Sequence, residues 1–285
     1  MGNETRIPLN HRPTIGLFIW NTMSENEYDV AVWHEVIKTT EERDVNLICF
    51  PGGTISPDSA DVHTRQRHLL YSLANTQRLD GLIVSDTISN TVALDEIVSF
   101  YRHYPSLPIV SIGRVLDKFI SVIVDNYGGM HDAMIHILQT HDCRQIAFIK
   151  GPEHSEGARQ RHQAYQDALA EYGLSYNPEL VVDGDFSAEA GRAAVRTLVE
   201  TRNAEPDAIV AANDAMALGA IAELERLGLR VPYDVLMVGF DDTLAARAMT
   251  PPLTTVRQPV RRMARQATQA LLSLLAGEEV SQKII

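Results

Sequence analysis

The sequence predicts an α/β fold made of two doubly wound parallel-sheet lobes, each of the Rossmann-like type. Short apolar runs rich in β-branched residues alternate with longer runs whose apolar residues recur at helical spacing. This alternation restarts in the middle of the chain. Because strand–helix alternation gives a parallel sheet with helices on both faces, the restart predicts a second sheet of the same kind.

The first half of the chain carries the pattern expected for one lobe. Buried strands are predicted at residues 15–19, 45–50, 81–84 and 108–112, with a further strand at 121–125. Helices are predicted at residues 29–43, 62–79, 92–103 and 129–140.

The second half repeats the pattern. Strands are predicted at residues 145–149, 179–182, 208–211 and 235–238. Helices are predicted at residues 158–172, 187–200 and 214–227. Gly173 and Gly228 follow two of these helices, and glycine commonly ends a helix because it adopts the left-handed backbone conformation at little cost.

A comparison of the two halves indicates a duplication. Residues 79–85 resemble residues 206–211, with Asp80 and Asp207 each preceding an apolar run. Residues 13–19 likewise resemble residues 144–149, at a similar offset along the chain. The two lobes are therefore expected to share one architecture.

Composition argues against several classes of function. The chain has 25 basic and 37 acidic residues, a formal net charge of −12, whereas a protein that holds a phosphate backbone needs a basic surface. The start of the chain is polar and lacks the apolar stretch of a secretory signal. No run approaches the roughly 18 apolar residues of a membrane span. We expect a cytoplasmic protein.

Catalytic motifs are missing from the sequence. It contains no G-x-G-x-x-G after a strand, no P-loop, and no G-x-S-x-G elbow. Cys49 and Cys143 give neither a disulfide framework nor a cluster of metal ligands. We therefore expect no enzyme, no cofactor and no metal site.

Polar and aromatic residues directly after predicted strands are the candidates for ligand binding. In doubly wound sheets, ligands lie outside the carboxyl ends of the strands, and two facing lobes form a cleft suited to a small molecule. These residues are Trp20, Asn21, Ser85, Asp86, Arg114, Asp125, Asn126, Arg159, Arg161, Phe186, Asn213, Asp214, Asp241 and Asp242. Carboxylates, amides, a guanidinium and aromatic faces are the groups that a sugar or polyol requires.

Each candidate also has an ordinary structural explanation. Asp86 and Asp214 could be helix N-caps. Trp20 could be packing, and Arg161 could be a surface charge on a helix.

Several stretches, in the same order along the chain, resemble the effector-contacting segments of lactose-repressor-type (LacI/GalR) regulators. They are Gly151-Pro152 and residues 158–165 (ARQRHQAY), 184–188 (GDFSA), 212–219 (ANDAMALG), 238–243 (VGFDDT) and 251–258 (PPLTTVRQ). The resemblance extends over nearly the whole chain. It implies a periplasmic-binding-protein-like type I fold, with a multi-stranded hinge of three crossovers and a ligand cleft between the lobes.

The resemblance also implies lobe boundaries and site residues. The N-terminal lobe would be residues 12–141 plus 259–277, and the C-terminal lobe residues 142–258. Arg161 and Asp241 would hold ligand hydroxyls or a carboxylate, with Asn213 between them. Phe186 would stack on the ligand, and Gln258 would reach in from the hinge. Asn126 and Trp20 would contribute from the N-terminal lobe.

The sequence departs from that family at both ends. The regulators begin with a helix-turn-helix, whereas the first strand here starts near Ile15, so we expect no DNA binding by this chain itself. They also continue past a position like Lys283 into a final strand of the C-terminal lobe. We expect a sensor whose output domain, of DNA-binding, kinase or cyclase type, lies upstream or downstream.

The resulting hypothesis is an effector-sensing domain whose lobes close on a sugar-like molecule. The alternative is a solute-binding protein of a sugar transport system. The resemblance also implies a homodimer through helices near residues 28–41 and 214–227. The apolar stripes there are Ala31, Val32, Val36, Ala215, Leu218 and Ala222, which could instead cover their own sheets.

Overall fold

The computed structural model describes residues 11–22, 27–56, 62–116 and 118–285, which form two compact units. The first unit ends at Val124 and also includes Pro259–Ile285, whereas the second is the continuous segment Asp125–Gln258. The chain therefore passes between the units after Val124 and again after Gln258.

Of the strands in the described residues, the first nine correspond to the nine predicted ones, and the last two were not predicted from the pattern. They are β1 (Thr14–Ile19), β2 (Asn46–Pro51), β3 (Gly81–Ser85), β4 (Ile109–Ile112), β5 (Ile120–Ile123), β6 (Ile146–Ile149), β7 (Val181–Val182), β8 (Ala208–Ala211), β9 (Leu236–Asp241), β10 (Thr254–Arg257) and β11 (Lys283–Ile284).

The helices alternate with these strands. They are α1 (Glu27–Glu42), α2 (Val62–His68), α3 (Leu94–Tyr101), α4 (Asn126–Thr140), α5 (Glu156–Glu171), α6 (Ala188–Val195), α7 (Asp214–Arg226), α8 (Leu244–Ala248) and α9 (Val260–Leu275). Short 3₁₀ turns occupy Leu69–Leu73, Asp86–Ser89 and Pro178–Leu180, and a π-helical turn continues α6 over Arg196–Thr201.

The first unit is a parallel sheet in the order β11-β5-β4-β3-β1-β2. Successive residues of β1 point to opposite faces of this sheet. Leu17 belongs to the core formed with Val36 of α1 and Met263 of α9. Phe18 belongs to the core on the other face, with Tyr71. Both faces are therefore covered, as the long apolar run of β1 predicts.

The second unit is a parallel sheet in the order β10-β9-β8-β6-β7. Its largest fully buried side chains include Phe148, Tyr165 and Phe240, which belong to one continuous core. The predicted class, an α/β protein with two doubly wound parallel sheets, is confirmed for each unit.

The sequence repeat corresponds to a shared hydrogen-bonding arrangement. The Asp80 carboxylate accepts the backbone N–H of Thr14 at 2.7 Å, and the Asp80 N–H donates to the Thr14 carbonyl at 2.8 Å. In the second unit, the Asp207 carboxylate accepts the N–H of Gln145 at 2.7 Å, and the Asp207 N–H donates to the Gln145 carbonyl at 2.8 Å. The two aspartates thus fix the start of the first strand of each unit in the same way.

Helix α4 lies in the second unit, which differs from the predicted boundary after residue 141. Its side chains Met130, Met134 and Ile137 are buried in the same core as Phe148, and α4 packs along α5. The helix begins at Asn126, with the Asp125 carboxylate accepting the Gly128 N–H at 2.8 Å as its N-cap.

The end of the chain also differs from the expectation of three crossovers. Residues after Pro259 stay in the first unit, where β11 pairs in parallel with β5. The strand near Lys283 is therefore added to the first sheet, and the chain makes two passages between the units.

One predicted helix and one predicted strand are much shorter than expected, and a second predicted helix changes its geometry. The helix predicted at residues 62–79 ends as a 3₁₀ turn at Leu73, and the helix predicted at 187–200 changes to π-helical geometry at Arg196. The strand predicted at 179–182 is reduced to Val181–Val182, because Pro178 opens a 3₁₀ turn instead.

Candidate functional site

The predicted site residues of the second unit lie at the carboxyl edge of its sheet. Asn213 follows β8 after one residue, Asp241 ends β9, and Gln258 directly follows β10. Because carboxyl ends of neighbouring parallel strands meet at one edge, these positions share one side of the unit.

Arg161 is a buried cation at this edge. It lies on α5 and is only 6% exposed, so the alternative of a surface charge is wrong. Its Nε and Nη2 donate to Oδ1 of Asn126 at 3.0 and 2.8 Å, and its Nη1 donates to the Ala212 carbonyl at 2.6 Å. The guanidinium carbon lies 3.7 Å from the centroid of the Phe240 ring, a cation–π contact. These contacts hold the guanidinium rigidly in place.

Asn126 is buried and begins α4, so the N-terminus of that helix positions the amide against Arg161. A Cβ added to Gly157 would lie 3.2 Å from Nδ2 of Asn126, so the first turn of α5 packs closely on this amide. The residue contributes to the candidate site from the second unit, although the resemblance implied the N-terminal lobe.

Asn213 connects the start of α7 to the segment around Phe186. It is the N-cap of α7, where its Oδ1 accepts the Met216 N–H at 3.0 Å. Its Nδ2 donates to the Phe186 carbonyl at 3.2 Å. Phe186 has a φ of 72°, a left-handed conformation that is uncommon for an aromatic residue. A Cβ at Gly151 would lie 2.4 Å from the Phe186 ring, so the ring lies directly on that glycine.

Asp241 and Gln258 form a pair. The Gln258 Nε2 donates to Oδ1 of Asp241 at 2.6 Å, and the Gln258 N–H donates to the Asp241 carbonyl at 3.2 Å. Both side chains are half-buried. Asp241 directly follows Phe240, whose ring stacks on the Arg161 guanidinium.

The structure thus brings together six of the predicted residues through direct contacts or chain adjacency. They are Asn126, Arg161, Phe186, Asn213, Asp241 and Gln258. Trp20, the remaining predicted residue, belongs to the first unit. It follows β1 directly, is half-buried and packs on the core around Phe18.

Asp214 is not a helix cap, because Asn213 occupies that position. Its fully buried carboxylate accepts from the Thr243 N–H at 2.8 Å and from the Thr255 hydroxyl at 2.5 Å. It therefore ties α7 to the segments around β9 and β10. Asp86 opens a 3₁₀ turn whose N-cap is Ser85, so it too is not the cap.

Asp29 is a buried acidic residue of the first unit that the sequence reasoning missed. Its carboxylate accepts the Thr87 hydroxyl at 2.8 Å and the Asn21 N–H at 3.3 Å. Burial raises the pKa of Asp29 to about 7, against the lowering effect of the Thr87 hydrogen bond. The signal was its spacing, because Asp29 lies on the same helical face as Val32 and Val36.

No group of three or more His, Cys, Asp or Glu side chains in the described ranges could hold a metal ion. No helix among the described residues is both long and apolar enough to cross a membrane.

Comparisons with known proteins agree on one family. Residues 135–284 match the model of the periplasmic binding protein-like domain. The chain is 31% identical over 284 residues to the HTH-type transcriptional repressor PurR of Erwinia tasmaniensis, covering 98% of this chain and 78% of that protein.

Solved structures of similar chains point the same way. A complex of the transcriptional regulator CelR with cellobiose has a TM-score of 0.81 and 28% identity, covering 98% of this chain and 83% of that one. A LacI family transcriptional regulator from Mycobacterium smegmatis has a TM-score of 0.81 and 28% identity, covering 95% and 94% of the respective chains.

Proposed function

The chain belongs to the LacI family of transcriptional regulators, as their periplasmic-binding-protein-like effector-binding domain, and we propose from this that it senses a sugar-like effector in the cytoplasm. The family consists of regulators rather than enzymes, in agreement with the prediction from the missing catalytic motifs. The alternative of a transport protein is not favoured, because the curated relative is a transcriptional repressor.

The chemistry of the six grouped residues supports this effector class. Asp241 supplies carboxylate acceptors, Asn126 and Gln258 supply amides, and Arg161 supplies guanidinium donors. Phe186 and Phe240 offer ring faces, which suit the C–H patches of a sugar. The CelR relative was solved with cellobiose, a sugar, which favours the same class for this chain.

The buried position of Arg161 is the observation that carries the proposal. Burying a guanidinium is costly unless it is held by hydrogen bonds, and here the Asn126 amide, the Ala212 carbonyl and the Phe240 ring hold it. Such preorganised polar groups at the carboxyl edge of a doubly wound sheet are typical of ligand sites. We propose that Asn126, Arg161, Phe186, Asn213, Asp241 and Gln258 contact the effector, with Trp20 contributing from the first unit.

A thermal-shift screen of sugars, polyols and nucleosides, beginning with cellobiose, identifies the effector. Calorimetry then compares the wild type with Arg161→Ala and Asp241→Ala. Loss of a charged hydrogen-bond partner should weaken binding by roughly 30- to 1,000-fold.

The matched controls are Arg144→Ala and Asp142→Ala, an exposed ion pair in the same unit that should leave the affinity unchanged. Wild-type affinity in both site variants would disprove the site. A screen in which only non-sugar compounds raise the melting temperature would disprove the sugar class.

We also propose that the domain forms a homodimer. Val32 and Val36 of the predicted stripe on α1 are buried in the core of their own unit, so they cover their own sheet. On α7, Leu218 is half-buried and Ala222 is exposed. The support for a dimer is therefore mechanistic: a sensor transmits an effector signal well when binding changes the relation between two subunits.

A further inference from the structure

A second concave site lies at the other end of the same sheet edge. A cavity of about 540 Å³ opens beside the ends of β6 and β7, within the size range of small-molecule sites. Its polar lining consists of Lys150, Glu153, Arg159, His162 and Asp183. None of these five residues takes part in the effector site proposed above.

His162 is held rigidly at this cavity by aromatic neighbours. Its ring centroid lies 5.3 Å from that of Phe148 and 6.0 Å from those of Tyr165 and Tyr176. Its Nε2 is buried and has no hydrogen-bond partner within the described part of the chain. An unpaired buried N–H is rarer in proteins than an unpaired acceptor, so we assign the proton to Nδ1.

His162 is therefore a neutral group in the lining of the cavity. Its pKa is lowered, chiefly by burial and then by the nearby charge of Lys150. The charge of the cavity is accordingly set by its other polar side chains.

Two cations line the same cavity. The Arg159 guanidinium is exposed, and among the described residues it has no ion pair or hydrogen bond. The Lys150 ammonium lies 2.6 Å from the Asp183 carboxylate, whose side chain is 87% exposed. An ion pair this exposed is weak, so a ligand can compete with Asp183 for Lys150.

We propose that this cavity binds a doubly charged oxyanion, such as the phosphate group of a small phosphorylated molecule. Arg159 and Lys150 supply the positive charge, and the neutral His162 ring lies in the same lining; guanidinium and ammonium groups are the usual partners of phosphate. The Phe186 ring packs on Gly151, which lines this cavity, and the Phe186 carbonyl accepts from Asn213 of the effector site. The lining of the cavity shares no residue with Arg161 and its contacts.

The test uses the full chain with ring-labelled histidine and inorganic phosphate as the probe, at constant ionic strength. NMR should show a saturable shift of the His162 ring resonances. Arg159→Gln should weaken the binding by roughly ten-fold or more, because one charged hydrogen-bonding partner is lost. Asp183→Asn should strengthen it, because Lys150 is released from its ion pair.

Two controls make the result specific. Arg192→Gln changes an exposed arginine elsewhere in the unit and should leave phosphate binding unchanged. Arg161→Ala should also leave it unchanged, which separates this site from the effector site. A His162 shift that does not saturate, that acetate reproduces at the same concentration, or that persists undiminished in Arg159→Gln would overturn the proposal.

Discussion

Arg161 and Asp29 are both buried ionisable residues, but their surroundings affect them differently. The Arg161 guanidinium meets an amide oxygen, a carbonyl oxygen and a ring face, which hold it in a fixed position. The Asp29 carboxylate accepts from Thr87 and Asn21, but burial outweighs these hydrogen bonds and raises its pKa to about 7. The first unit therefore carries an acid that titrates near neutral pH.

The titration of Asp29 predicts a pH-dependent stability. The pKa of an aspartate in the unfolded chain is about 4, so between pH 4 and pH 7 the folded state binds more protons than the unfolded one. The Asp29 contribution to the free energy of unfolding is then fully present below pH 4 and is lost as the pH rises to 7. The loss is at most about 4 kcal/mol.

Asp29→Asn removes this titration while keeping the acceptor for Thr87. In urea unfolding at pH 5, 6, 7 and 8, the variant should gain stability relative to the wild type as the pH rises. Asp44→Asn, at a side chain that is 85% exposed, should follow the wild-type slope. Parallel pH profiles for the wild type and Asp29→Asn would contradict the prediction.

At the scale of strands and helices, the sequence predicts where most elements lie but not which sheet each helix covers. Nine strands could be predicted, because they are short apolar runs flanked by turn residues, whereas the more polar β10 and the two-residue β11 lack this pattern. The Asp80 and Asp207 contacts could also be anticipated from the repeat, since both aspartates stand just before an aligned apolar run. The placement of α4 could not, because Met130, Met134 and Ile137 give an apolar face without specifying which sheet it covers.

Helices α6 and α7 are in direct backbone contact. A Cβ at Gly219 of α7 would lie 1.9 Å from the Ala188 carbonyl oxygen, and a Cβ at Gly191 of α6 would lie 2.0 Å from that of Met216. Both approaches are to backbone atoms, which cannot rotate away as a side chain does. The two glycines therefore set the separation of the helices.

Gly219→Ala should destabilise the protein by about 3 kcal/mol or more, although alanine is the better helix former. Chemical denaturation monitored by circular dichroism measures the difference. Ala222→Gly, at an exposed position of the same helix, should cost only about 1 kcal/mol. A neutral or stabilising Gly219→Ala would show that the helices separate freely.

At the scale of the whole molecule, net charge and composition predict its behaviour toward nucleic acid. The formal charge of −12 repels a phosphate backbone. The purified chain should cause no gel-shift retardation of duplex DNA at low salt, where electrostatic binding is strongest. A basic DNA-binding protein run in parallel verifies the assay, and retardation by the pure chain would contradict the prediction.

The oligomeric state is the second prediction for the whole molecule. Multi-angle light scattering at high micromolar concentration, with and without effector, should give about twice the chain mass of 31.6 kDa. A mass equal to one chain under both conditions would exclude the homodimer.

The two units differ in how the chain builds them, and this bears on the order of folding during synthesis. The second unit is continuous, whereas the first is completed only by the segment after Pro259. That segment contains α9, whose Met263, Ala264 and Leu271 are fully buried in the first core. A nascent chain that has emerged as far as Gln258 contains every residue of the second core. It still lacks the α9 residues that complete the first core. On the ribosome the second unit should therefore fold first, and the sheet of the first unit should be covered only after the segment that follows Pro259 has emerged.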